Sequence, residues 1–423
     1  MAEFSVKERF LASLLSRFPV LKKYLKMLYI NMNALIYRKS YKYRLLSDRL
    51  EIMQAITLDN QESFFGYYDK IPVNREGWIA THVTDLPTHC QPNPQTPLKI
   101  VLVSPAIKEY KIIGKSSSYN WQQGARLQWL NDNLLMYNDF RQGSYKAVVY
   151  SVTEDREIHM FDFPVQDAYG TSYFLSVNYR RIMRLRPDYG YRNLSCLSDR
   201  ELKDLEKDGI WRVDYTSGQT VLVHSLKGIT DCNSKLCFAD SLHKVNHVMI
   251  NKTGTGFIFI HRFYQGKRRY DRLMYSDFKT LKVLVDDGMV SHCCWINDDT
   301  ILGYWREKDK DGYYICEVTS GRITECPEMS GLRVGDGHPS CYKDWIVFDS
   351  YPDKSRMQKL FLYDMKNAKV IPLLEVYQSP RFMNQTRCDL HPRFSQDGRF
   401  VFFDTVYTGK RQLCYVDVSS VLN

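Results

Sequence analysis

Four histidines carry the strongest chemical signal in the chain. His247, His292, His338 and His391 stand 45, 46 and 53 residues apart. Each opens a similar segment: HVMINKTGTGFIFI, HCCWINDDTILGYW, HPSCYKDWIVFDSY and HPRFSQDGRFVFFD. Every segment runs from the histidine through a short apolar patch and a turn into a second β-type run. Only ten histidines occur in 423 residues, so four at one repeat position concentrate imidazole in one place. Neutral imidazole is a ready ligand for divalent transition metals and titrates near neutral pH. Asp389 lies two residues before His391, on the same face of an extended strand, and adds a carboxylate. The four histidines and Asp389 are therefore candidates for metal or substrate contact, and a histidine of near-neutral pKa suits the role of a base. The stretch HRFYQGKRRYDRL (261–273) follows the His247 segment and offers Arg262, Arg269 and Arg272 to an acidic ligand, with Arg269 or Arg272 as a carboxylate clamp. His247, Tyr68, Asp69 and Gln122 complete a candidate substrate-binding set, with Tyr67 and Trp121 beside them. The competing reading makes the histidines hydrogen-bonding struts between strands, Asp389 a turn residue and the arginines solvated loop groups.

Such a constellation needs a scaffold that repeats. Four β-type runs per unit of 40 to 50 residues describe the blades of a β-propeller, whose innermost strands line a central channel. Weaker copies begin near Tyr68, Arg126 and Asp167, which gives seven blades with those starting near 247, 292, 338 and 391. The interval from 167 to 247 exceeds the period, so an insertion is expected at about 179–215. It holds the basic run YRRIMRLRP and a capping-box signal, Ser198 with Glu201. The run EIMQAIT (51–57) is placed to complete the last blade and close the ring. The fold class expected is thus all-β, a seven-bladed propeller over 51–423.

The segments HPSCYKDWIVFDSYPD and DLHPRFSQDGRFVFFDT resemble the oligogalacturonate lyase family, propellers related to the TolB-like group, best over about residues 240–423. The resemblance implies a manganese-type site in the channel, used for β-elimination on uronic-acid sugars. It places His338 and His391 on metal-ligand positions and His292 on that of a proposed base. Two departures are plain. The family has another histidine where this chain has Asp389, and a glutamine where it has Thr386, with Gln385 adjacent.

Residues 1–50 hold eleven Lys or Arg against three acidic residues, while the remaining 373 carry 47 basic and 45 acidic side chains. The basic charge therefore belongs to the N-terminus, and the near-neutral body argues against nucleic-acid binding. Residues 5–36 read as an amphipathic helix with Leu11, Leu14, Leu25, Leu28, Met32 and Leu35 at three- and four-residue steps, kinked or divided at Pro19. This basic segment either docks on the body or a partner, or lies on an anionic inner membrane leaflet. No signal-peptide pattern, metal-binding CxxC or HExxH spacing, P-loop or Rossmann fingerprint is present. A cytoplasmic protein acting on an acidic oligo- or polysaccharide is expected, peripheral to the membrane through residues 1–50. Two rival functions are a carbohydrate-binding scaffold propeller and a glycosyl-transferring enzyme of surface-polysaccharide assembly.

Overall fold

The computed structural model describes residues 19–104 and 109–422. Seven antiparallel sheets follow one another along the chain. Their innermost strands are Glu62–Phe64, Gln128–Trp129, Asp167–Tyr169, Leu242–Ile250, Val290–Trp295, Ser340–Tyr342 and Arg393–Phe394. This is the seven-bladed propeller that the repeat implies. The middle strands are covered on both faces, so they read as near-continuous apolar runs: Ile79–Thr84 is buried at all six positions. The core lies between blades. Leu360, Leu374 and Val376 of the sixth blade pack with Val401, Phe403 and Cys414 of the seventh. Ile258 and Leu273 of the fourth meet Cys293, Trp295 and Ile301 of the fifth.

The ring closes through its N-terminal segment. Met53–Gln54 pairs antiparallel with the last strand, Met53 opposite Tyr415 and Gln54 opposite Cys414, as the apolar 51–57 run implies. A second N-terminal strand, Tyr43–Leu45, adds a fifth strand to the sixth blade by pairing with Leu374, Glu375 and Val376. Residues 43–45 are therefore part of the ring wall, whereas the sequence reading begins the propeller at 51.

The first blade also differs from expectation. Its inner strand is Glu62–Phe64, and Tyr68 lies in the connection that follows it. Gly66 makes that connection possible. It adopts φ +112°, and a Cβ there would stand 2.8 Å from the Gln123 carbonyl carbon. The N–H groups of Phe65 and Gly66 donate to the Asp404 carboxylate of the seventh blade at 2.9 and 2.8 Å. Thus anchored, the connection sends Tyr67 and Tyr68 across the channel.

The helices lie outside the seven sheets. Helix α1 (Pro19–Ile36) accounts for the described part of the expected N-terminal helix, and residues 5–18 of that expectation lie outside the described residues. In the third blade, residues 178–208 intervene between Tyr173–Val177 and Gly209–Asp214. They carry α2 (Tyr179–Leu185) and α3 (Asp199–Lys203), and Ser198 with Glu201 forms the expected capping box at α3. Among the described residues, no helix is long and apolar enough to cross a membrane.

Candidate metal centre and channel mouth

The four repeat histidines converge on the channel. His338 and His391 each precede the innermost strand of their blade by two residues, while His247 and His292 fall where the strand ladder skips register. A bulge leaves its residue unpaired and re-aims the side chain. His247 and His391 have φ of +53° and +46°, a left-handed conformation uncommon for non-glycine residues and enriched at functional sites. Ring centroids lie 5.4 Å apart for His247 and His292, 3.9 Å for His292 and His338, and 4.3 Å for His338 and His391. Tyr67 and Tyr68 fill the space beside them. The Tyr67 hydroxyl lies 2.7 Å from Nδ1 of His247, and the Tyr68 hydroxyl donates to the Cys293 carbonyl at 2.9 Å.

Three polar atoms in this cluster are left over. Nε2 of His338, Nε2 of His391 and Oδ1 of Asp389 are buried and find no hydrogen-bond partner among the described residues. The ligand atoms of these three residues lie within 4.8 Å of one another. Two imidazole nitrogens and a carboxylate oxygen, orphaned together, are a donor set that fits a divalent transition metal. His338, His391 and Asp389 are thus brought together, and His292 stands beside them.

The surroundings hold these donors in place. Asp349, at the end of Trp345–Asp349, accepts from Nδ1 and the backbone N–H of His338 at 2.9 and 2.7 Å, and from the His391 backbone N–H at 3.2 Å. That contact leaves Nε2 of His338 as the free nitrogen, the orientation carboxylate partners commonly impose on metal-binding histidines. Burial opposes the charged form of His338, but Asp349 outweighs it and raises the ring's pKa above the ordinary histidine value. Burial holds His247, His292 and His391 well below that value, helped by neighbouring histidines. On the other side, Nε of Arg387 donates to Oδ2 of Asp389 at 2.7 Å and its Nη1 to Asp188 at 2.8 Å. Sequence reasoning missed Asp349. Its signal was an acidic residue closing an apolar strand, WIVFD.

Asp349→Asn is expected to weaken metal binding ~10–100-fold, the usual cost of losing such an orienting carboxylate. Competition with a metal-sensitive dye would show it, and unchanged affinity would mean Asp349 does not tune the site.

The basic candidates divide. Lys244, Arg262 and Asp271 stand side by side on three adjacent strands of the fourth blade. Arg262 pairs with Asp271, yet its Nη1 is buried without a hydrogen-bond partner among the described residues. The buried Lys244 donates to Asn246 at 2.8 Å. Burial, then Arg262 and Arg186, push its pKa well below the ordinary lysine value. Like charges directly opposite on neighbouring strands disfavour one another, so burial and Arg262 together hold Lys244 toward its neutral amine. Arg269 is half-exposed and lies 3.4 Å from Asp271. The structure does not bring Arg272 to the channel. Its donors go to His261 and to the carbonyls of Ile229, Cys232 and Asn233, which makes it a strut inside its blade.

Asp69 and Gln122 are likewise occupied by the scaffold. Burial alone would raise the Asp69 carboxyl, but Arg126, bound at 3.1 and 2.8 Å, holds it below the usual range. Gln122 donates to the Arg387 carbonyl at 2.8 Å, and its Oε1 is buried with no hydrogen-bond partner among the described residues.

A cavity of about 390 Å³ opens onto this centre. Its floor includes Arg387 and Asp389, one wall includes Tyr351 and Arg356, and the other is the inner face of α1, including Tyr29, Ile30 and Asn33.

No protein-family model matches the chain, and no curated protein matches it by sequence. Solved structures do. An oligogalacturonate lyase in complex with manganese superposes with a TM-score of 0.61 at 12% identity, covering 90% of this chain and 99% of that one. An oligogalacturonate lyase from Vibrio parahaemolyticus gives 0.62 at 11% identity, covering 91% and 98%. At such identity the likeness speaks to architecture alone: the chain has a seven-bladed propeller fold similar to that of the oligogalacturonate lyases.

Proposed function

We propose that the channel mouth is a metal-dependent site that cleaves uronate-containing oligosaccharide by β-elimination. The observation that carries this reading is the convergence of three orphaned donors, on His338, His391 and Asp389. A divalent ion of the manganese type held by them would neutralise a uronate carboxylate and acidify the neighbouring C–H bond. The remaining work falls to the chain's own side chains. His292, kept neutral by burial, accepts the proton from the carbon next to the carboxyl. The freed electron pair becomes the new carbon–carbon double bond. The bond from the next carbon to the glycosidic oxygen breaks, and that oxygen leaves as an alcohol after taking a proton from water. Arg262 and Lys244 offer N–H donors that would bind a second acidic group, and the buried Tyr67 and Tyr68 rings shape the site beside the histidines.

The product carries a conjugated double bond, so ultraviolet absorbance rises as it forms. The expected result is an absorbance increase with oligogalacturonate or a related uronate oligomer, abolished by a chelator and restored by manganese. Metal-loaded protein that leaves a panel of uronate oligomers unchanged would overturn the reaction. One observation favours a second reading, a propeller that binds acidic glycans without turnover: Tyr67 and Tyr68 already pack against His247, His292, His338 and His391. Saturable glycan binding with no absorbance change would select it.

A further inference from the structure

Helix α1 has two apolar faces, and the propeller uses only one. Tyr29, Ile30, Asn33 and Ala34 turn inward and are half-buried or buried. Leu25, Leu28, Met32, Leu35 and Ile36 form a stripe roughly 100° wide on the opposite side, at 100° per residue. Leu28, Leu35 and Ile36 are 56%, 74% and 67% exposed. An exposed apolar stripe of this kind is costly in water and calls for a cover. Immediately after the helix come Arg38, Lys39, Lys42 and Arg44, all exposed, within a segment that holds eleven basic and three acidic residues.

We propose that the outer face of α1 docks on an anionic lipid bilayer, with the basic residues after it on the headgroups. The charge decides between occupants. A second copy of the chain would bring more positive charge to the contact, whereas an anionic surface brings the opposite sign. The stripe also suits a helix lying in the interface plane with its apolar side among the acyl chains. The inner face of the same helix walls the cavity that reaches Asp389. Docking through the outer face therefore sets the cavity mouth at the membrane. Resting on the function proposed above, this narrows the substrate to acidic glycan presented at a lipid surface.

The test is co-sedimentation of the full chain with vesicles, which reads docking independently of catalysis. Vesicles of phosphatidylcholine mixed with phosphatidylglycerol should carry the protein down, and pure phosphatidylcholine should bind it at least tenfold less. Leu28→Glu with Leu35→Glu, both at exposed positions, should abolish binding. Arg38→Glu with Arg44→Glu should weaken it by about fivefold or more per residue, since each basic side chain near an anionic surface contributes about 1 kcal/mol. Circular dichroism confirms that the variants keep the propeller. Failure of the wild type to bind phosphatidylglycerol vesicles would overturn the proposal. So would light scattering that shows a wild-type dimer split by Leu28→Glu with Leu35→Glu, because the stripe would then belong to a second copy.

Discussion

His338→Ala is expected to take the metal content from about one ion per chain to none, by elemental analysis of protein purified without added metal. The expectation follows from three buried donors with no other partner among the described residues and from the strong preference of buried polar atoms for satisfaction. His338→Ala also strips Asp349 of its side-chain partner, so some loss of stability accompanies it. His391→Ala separates the two effects. The His391 side chain has no bond to Asp349, whose contact there is with the backbone N–H, so this variant should lose metal with a smaller fall in melting temperature. Wild-type protein without metal, together with variants that are merely less stable, would make the histidines struts and move the glycan-binding reading to first place.

His292→Ala is expected to lower turnover of a uronate oligomer by ~10²–10⁴-fold, the span usual for loss of a positioned general base, while metal content stays at the wild-type value. His292 is not among the three residues whose ligand atoms cluster, yet its ring is 3.9 Å from that of His338. Ser291 donates to Asp336, whose carboxylate lies 3.6 Å from Nδ1 of His292. That arrangement orients the ring without placing it among the orphaned donors. Steady-state kinetics with metal analysis on the same preparation decides the matter. Loss of metal along with activity would make His292 a ligand, and full activity would remove it from the reaction.

Much of the ring was legible because propeller blades repeat a local pattern. The spacing of the histidines fixed the phase of four blades, and the apolar run at 51–57 pointed to the closing strand that Met53–Gln54 supplies. The first blade was misphased at Tyr68 because the aromatic run FFGYYD spans both its inner strand and the connection after it. Tyr43–Leu45 was invisible for a different reason. A three-residue edge strand carries no periodicity, and its pairing with residues 374–376 is a tertiary fact. Arg272 shows information present but unused. Alternation along a strand puts Arg269 and Asp271 on one face and Arg272 on the other, so Arg269 and Arg272 could not share a task. Asp349 showed itself only as an acidic end to an apolar strand, and its role depends on two backbone N–H groups that come from different blades.

The closing strand has a consequence for how the protein is made. Met53 and Tyr415 are neighbours in one sheet, although more than three hundred and fifty residues separate them in the chain. Until the residues around Gln412–Asp417 emerge from the ribosome, the first six blades form an open arc. The unpaired strand edges at both ends of that arc can template wrong pairings. Contacts this distant in sequence slow the final step, because the chain must be threaded back onto its own beginning before the ring locks. The seam therefore stays open until both of its edges are available, and vulnerability to aggregation is concentrated in the interval before they pair.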